Sequence, residues 1–219
     1  YGVEVLGTLA WYCGTVIGGI VVHVLFLLII ARVVGGIGPL RLWRGIREAW
    51  MIAFSTRSSA ATLPVTIACT TEKLHVSPKV ANFSLPVGAT VNMDGTALYE
   101  GVAVIFLLQI YGGLDDVGIT LGAMTTFLIF ITAVLASVGA AAVPDAGLVT
   151  MVLVASAVHL PVYYIPLIFA VDAFLDMFRT STNVLGDIVG AVVVNRLEGA
   201  RLGAAPVRVR CGARKGTGC

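Results

Sequence analysis

The stretch LPVGATVNMDGTALYE (85–100) decides how the chain is built. It sits inside an apolar segment, 83–111, long enough to cross a bilayer as one helix. At its centre, however, stand the turn formers and small polar groups Asn92-Met93-Asp94-Gly95-Thr96. A continuous helix gains nothing from such a run, because Asn, Asp and Gly favour local turns. The run therefore predicts a helix that opens in its middle and turns backbone carbonyls, with the Asn92 and Asp94 oxygens, toward a hard cation. Irregular backbone at membrane depth is tolerated only where it lines a protein cavity.

The composition fits that solvent. Of 219 residues, 58% are hydrophobic and only 12% charged, and the mean hydropathy is +0.97. An ordinary soluble domain carries about twice that charge, so a soluble globular enzyme is excluded and a bilayer is implied. A net charge of +2, with no interleaved basic and aromatic face, excludes a nucleic-acid binder. Cys13, Cys69, Cys211 and Cys219 show neither CxxC spacing nor a Cys/His cluster, so no disulfide framework, zinc site or cofactor is read.

The charges order the topology. The apolar run 8–31 ends at Arg32, followed by Arg41, Arg44 and Arg47, and the positive-inside rule puts these in the cytoplasm. With no Lys or Arg before it, and too long for a signal-peptide core, this run reads as a span and not a leader. The chain is expected to start inside a longer protein. Arg196, Arg201, Arg208, Arg210, Arg214 and Lys215 put the C-terminal end in the cytoplasm too. An even number of crossings must then lie between Arg47 and Arg196.

Four apolar blocks fill that interval, at 49–71, 83–111, 119–160 and 163–195. The first has basic residues at both ends and is broken by Ser55-Thr56-Arg57-Ser58-Ser59 and Pro64, so it is expected to enter and turn back. The third follows Asp115 and Asp116, is broken around Ser137 to Gly147, and is expected to do the same from outside. The second and fourth are the crossings. The expected fold is an all-α membrane protein of transmembrane helices plus two re-entrant helical hairpins forming an inverted repeat, with an unwound NMDGT segment. The parts are 1–47 (leading helix and cytoplasmic basic loop), 48–117 (first hairpin and broken helix), 118–198 (second hairpin and amphipathic helix) and 199–219 (basic disordered tail, touching anionic lipid at most). Paired interruptions in two halves point to a transporter's binding site; the alternative is two Gly/Ser-kinked spanning helices with no site.

In the last block Asp172, Asp176, Arg179, Thr180, Asn183 and Asp187 fall within roughly a 100° arc of a helix. Each ion at mid-depth costs ~3 kcal/mol or more unless partnered or hydrated, so the stripe predicts a ligand or ion path; a static Arg179 ion pair is the alternative. Ser58, Ser59 and nearby amides at half-helix ends offer donors to an anion. Arg57 is expected to pair with Asp176 across the cavity. Gly139 and Gly147 allow close backbone approach in a thin lid, whereas Asp145 at that lid reads as a solvated carboxylate. Glu100 reads equally as a protonatable group or a neutral, hydrogen-bonded one. His23 reads as a satisfied membrane histidine, and no metal-ligand spacing joins it to His75 or His159.

The runs STRSSAATLPVT (55–66), LPVGATVNMDGTALYE (85–100), ASVGAAAVPDAGLVTMV (136–152) and VDAFLDMFRTSTNVLGD (171–187) together resemble the dicarboxylate/amino acid:cation symporters, the glutamate transporter family, in its C-terminal transport core. They match, in order, its first re-entrant hairpin, seventh helix, second hairpin and eighth helix. The resemblance implies that Arg179 clasps a side-chain carboxylate, that Asp176 receives the amino group, and that Asn183 and Thr180 take the main-chain carboxylate. Thr96, Ser58, Ser59, Gly147 and the Val143 backbone complete that pocket. It implies one sodium site from Gly88, Asn92, Asn183 and Asp187, a second from Thr90, Met93, Ser137 and Ala140, and half of a third from Asn92 and Asp94. Glu100 would carry a coupled proton.

By the same resemblance the activity is secondary active symport of glutamate or aspartate with sodium, protons or both, by an elevator-like movement and without a cofactor. The setting is the plasma membrane, or the inner membrane in a bacterium, multi-pass, in contact with membrane lipid, with a cytoplasmic C-terminus and a homotrimeric assembly once the scaffold is present. Two positions depart from the pattern: Ala142 replaces a usual glycine, and Asp145 stands where Gly or Gln is common. The first five helices of the family have no counterpart in these residues. The alternatives are a neutral amino acid or C4-dicarboxylate symporter of the same family, an inactive fragment lacking its scaffold, and an intramembrane aspartyl protease.

Overall fold

The helix around Asn92 is broken, as its turn formers require. In the computed structural model, which describes residues 2–112 and 118–199, with side chains from Leu6 onward, α4 (Pro78–Val91) stops at Asn92 and α5 (Asp94–Tyr111) starts two residues later. The backbone between them is neither helical nor extended: Asn92 has φ −89°, ψ 81° and Met93 φ −109°, ψ 50°. Asp115, Asp116 and the tail from residue 200, where the disordered segment is expected, lie outside the described residues.

Around this break the order is α1 (Gly2–Val33), a helical hairpin of α2 (Pro39–Thr56) and α3 (Ser59–Ala68), the pair α4 and α5, a second hairpin of α6 (Ala123–Val138) and α7 (Ala146–Ala157), and α8 (Pro166–Leu197). A π turn, Cys69–Lys73, extends α3. Among the described residues there is no strand. Proline marks the starts of α2, α4 and α8, where its missing N–H costs nothing. Residues 39–47, expected as a basic loop, are instead the first turns of α2. Leu42, Ile46, Ala49 and Ala53, at helical spacing, are buried, while Arg41, Arg44 and Arg47 occupy the rest of the helix surface, so this charged segment is the outer face of an amphipathic helix.

α8 is the axis. It packs against α1, α2, α3, α4 and α5, while α6 and α7 pack on α5 and on each other. One apolar cluster joins the first half of α1 to α5, α6, α7 and the start of α8 (Tyr12, Tyr99, Leu107, Ile129, Met151, Leu175). A second joins the far half of α1 to α2, α4 and the end of α8 (Leu42, Leu74, Leu85, Val189). Between the two lies the polar stretch of α8 from Asp176 to Asn183. The outer surfaces of α1 and α6 expose Trp11, Val22, Phe26, Met124, Phe130 and Leu135. Charge inside and large apolar side chains outside is the reverse of a soluble domain. By length and composition, Leu6–Val33 and Pro78–Tyr111 could each cross a bilayer; α8 matches α1 in length but carries the ionic stripe.

Candidate functional site

The middle of α8 is buried on every side. Asp172, Asp176, Arg179, Thr180, Asn183 and Asp187 are buried, and so are Ser181, Thr182, Val184 and Leu185 between them. From Arg179 to Val189 the helix is thus enclosed on all sides, whereas at the Asp172 end of the stripe Ala173 and Phe174 still face outward. Arg179 is its hub. Its Nη2 lies 2.8 Å from Asp176 Oδ1, its Nη1 3.4 Å from Asp172 Oδ1, and its guanidinium carbon 4.2 Å from the centre of the Tyr99 ring. Both carboxylates are drawn to the guanidinium instead of sharing a proton face to face, the arrangement an aspartyl protease needs.

Gly147, at the start of α7, sits tightly against the guanidinium: a Cβ on it would lie 2.7 Å from Arg179 Nη1, which would have to shift. The absent side chain lets the second hairpin close directly over the guanidinium. Arg57, Ser59, Thr96, Val143, Gly147, Asp176, Arg179, Thr180 and Asn183 line one cavity of about 10 Å³ at the meeting of the two hairpin tips. Except for Ser58, every residue expected at the substrate is therefore brought together. The Ser58 hydroxyl caps α3 by accepting from the Ala61 amide and donates to the Ala142 carbonyl at 2.8 Å, joining one tip to the other.

Arg57 departs from expectation in its first partner. Its Nη1 is 3.0 Å from Asp145 Oδ1 and 3.9 Å from Asp176 Oδ2. Asp145 is exposed, as expected of a solvated carboxylate, but is also ion-paired at the tip, and its amide donates to Asp176 Oδ2 at 3.2 Å.

The helix break meets α8 just below. Asn92 Nδ2 donates to Asp187 Oδ1 at 3.0 Å, the Gly95 amide donates to Asn183 Oδ1 at 2.7 Å, and Asn183 Nδ2 donates to Thr96 Oγ1 at 3.2 Å. The Gly88 carbonyl accepts the Asn92 amide at 2.8 Å. Gly88, Asn92 and Asp187 thus meet, while Asn183, one turn earlier on α8, engages the far side of the break at Gly95 and Thr96. Among the described residues no three His, Cys, Asp or Glu side chains meet, so amide and carbonyl oxygens would do most of the work of holding a cation. For the expected second site, Met93 and Ser137 line a common groove of about 600 Å³ between the break and α6. Ala140 is buried beside it in sequence. Thr90 is exposed, donates its hydroxyl to the Val87 carbonyl of its own helix at 3.0 Å, and does not line that groove.

Two partners lay beyond the sequence pattern. His23 on α1 lies 2.6 Å from Asp94 Oδ2, so the third cation candidate is already engaged by an imidazole. Thr150 on α7 donates its hydroxyl to Glu100 Oε1, while Glu100 Oε2 has no hydrogen-bond partner among the described residues. Histidine in an apolar helix was the visible signal for the first, because such a group needs a polar partner. No signal marked Thr150.

Residues 1–197 match the family described as sodium:dicarboxylate symporters. Over 197 residues the chain is 51% identical to an excitatory amino acid transporter of Caenorhabditis elegans, covering 90% of this chain and 38% of that protein. It is 49% identical over 195 residues to human excitatory amino acid transporter 2, covering 89% and 33%, and 48% identical to mouse excitatory amino acid transporter 3, covering 89% and 36%. The chain spans about a third of the length of these relatives.

Proposed function

The chain belongs to the sodium:dicarboxylate symporter family, and from that premise we propose that it forms the substrate-carrying part of a membrane symporter for acidic amino acids, driven by sodium and, through Glu100, by protons. The observation that carries this reading is the Arg179–Asp176 pair at the junction of both hairpin tips. An acidic amino acid brings a carboxylate and an ammonium. It replaces the internal pair without leaving either buried charge uncompensated: Arg179 takes the side-chain carboxylate in a two-pronged hydrogen bond, and Asp176 takes the ammonium. Thr180 and Asn183 take the main-chain carboxylate, with Thr96, Ser59 and the Val143 backbone closing the pocket. A C4-dicarboxylate would leave Asp176 facing an anion, which disfavours it.

Entry requires the hairpin tips to part, because the cavity between them is almost filled. Sodium at Gly88, Asn92, Asn183 and Asp187 would fix the break, and the same Asn183 borders the substrate cavity. Ordering by the cation lowers what the substrate must still organise, so each raises the affinity of the other. Glu100, buried with one oxygen free of hydrogen bonds, is the group we assign to the proton. The carrier would move as a body across the bilayer, in an elevator-like manner, within a homotrimer. The test is binding of radiolabelled aspartate to the purified chain in detergent. Aspartate should bind in sodium and not in potassium, succinate should compete poorly, and Arg179→Cys should abolish aspartate binding while permitting a neutral amino acid. Undiminished aspartate binding in Arg179→Cys overturns the assignment.

A further inference from the structure

The two hairpin tips are joined by groups that the substrate pocket does not need. Arg57 ends α2 at φ 54° and Asp145 precedes α7 at φ 62°, both left-handed turns that aim a charged side chain across the gap. Their ion pair is 3.0 Å long, and beside it the Ala142 carbonyl accepts both the Ser58 hydroxyl (2.8 Å) and the Ala60 amide (3.2 Å). Arg57 is at the same time only 3.9 Å from Asp176, the carboxylate assigned to the substrate ammonium. One guanidinium therefore stands between two carboxylates, on the closing segment and on α8.

We propose that Asp145 is a positioning residue: it latches the second hairpin to the first through Arg57 and, by holding that guanidinium at the tip, keeps Asp176 available to an ammonium. This deepens the acidic amino acid reading and rests on it for the role of Asp176. The latch itself is light. The side chains are 25% and 56% exposed, and pairs of that exposure shift an equilibrium by about twofold to fivefold, which suits contacts that must break on every opening. Without Asp145 the guanidinium has one neighbouring carboxylate left, Asp176, and it competes there with the ligand. If it occupies Asp176 in about nine molecules of ten, the apparent affinity for aspartate falls about tenfold.

The experiment is a cycle of Asp145→Asn, Arg57→Gln and the double variant in the purified chain, read by sodium-dependent aspartate binding and by hydrogen exchange of peptides covering 57–62 and 140–147. Asparagine tolerates the left-handed backbone at 145, so the fold is retained. Asp145→Asn should weaken aspartate about tenfold, and adding Arg57→Gln should restore most of the loss, because the competing cation is gone. A merely structural role for Asp145 would not be rescued in this way, and a double variant as weak as Asp145→Asn alone overturns the proposal. In exchange, each single variant should speed the tip peptides about twofold to fivefold and the double no further; additive acceleration overturns the latch. If the parent chain binds no aspartate, the acidic amino acid reading fails, while the exchange cycle still decides whether the latch exists.

Discussion

Asp187 touches the helix break through one hydrogen bond, accepting from Asn92 Nδ2 at 3.0 Å. Asn92 could make that bond equally well to an asparagine carbonyl, so Asp187→Asn isolates charge from geometry. Binding of a hard cation scales with the charge of its ligands, and a sodium titration of aspartate binding should shift to higher sodium by on the order of tenfold. An unchanged titration removes Asp187 from the cation set. Thr150 poses a different question, because its hydroxyl is the hydrogen-bond donor to buried Glu100. Thr150→Val leaves that carboxyl without a donor and should lower stability by about 1–3 kcal/mol in a thermal melt. Thr150→Val combined with Glu100→Met removes both polar partners and should recover most of it, since apolar replacement of a whole pair is nearly neutral; a double variant as unstable as the single one would show that packing and not hydrogen bonding sets the loss. Glu100 was visible in the sequence as a carboxyl in an apolar helix. Thr150 was not, because its partner lies 50 residues away and a threonine in a hairpin arm satisfies itself on its own helix.

Helices meet the site at glycines. A Cβ on Gly186 would lie 2.6 Å from Asn92 Nδ2 and 2.8 Å from Asp94 Oδ2, whereas one on Gly190, a turn further along α8, would meet nothing within 4 Å. Gly186→Ala should therefore push the break off α8, costing about 1–3 kcal/mol by overpacking and weakening sodium-dependent binding. Gly190→Ala should be neutral or stabilising by about 0.5–1 kcal/mol, as for any helical glycine with room for a methyl. Equal melting temperatures for the two would contradict this packing. The break itself was legible because Asn92, Asp94 and Gly95 oppose helix wherever they stand. The start of α2 reads as a loop by its three arginines, although Leu42, Ile46, Ala49 and Ala53 carry the helical spacing that buries them. Burial of α8 on all sides could not be read from its own stripe, since the covering side chains come from α1, α2, α4 and α5. The Arg57–Asp145 contact joins turns 88 residues apart, and only the meeting of the two hairpins creates it.

At the scale of the whole molecule, binding and transport separate. The residues lining the cavity at the hairpin tips come from α3, α5, α7, α8 and the turns beside them, so the proposed binding needs only groups that these residues supply. Moving that pocket across a bilayer in the proposed elevator-like manner is another matter, because such a movement needs a surface that stays still while the carrier slides. Among the described residues α1 to α5 all pack on α8, and α6 and α7 pack on α5, which places each of these helices on the proposed carrier. The relatives are about two and a half times as long, the chain spanning 38% of the nematode protein and 33% of the human one. The purified chain should accordingly show sodium-dependent aspartate binding in micelles, yet no accumulation of aspartate in liposomes under an inward sodium gradient, with or without an added proton gradient. Supplying the preceding helices of a full-length relative, by fusion or co-expression, should restore uptake, and Arg179→Cys in that assembly should abolish it. Accumulation of aspartate by the unaided chain would show that its helices move against lipid or against one another, and that the carrier needs no separate scaffold.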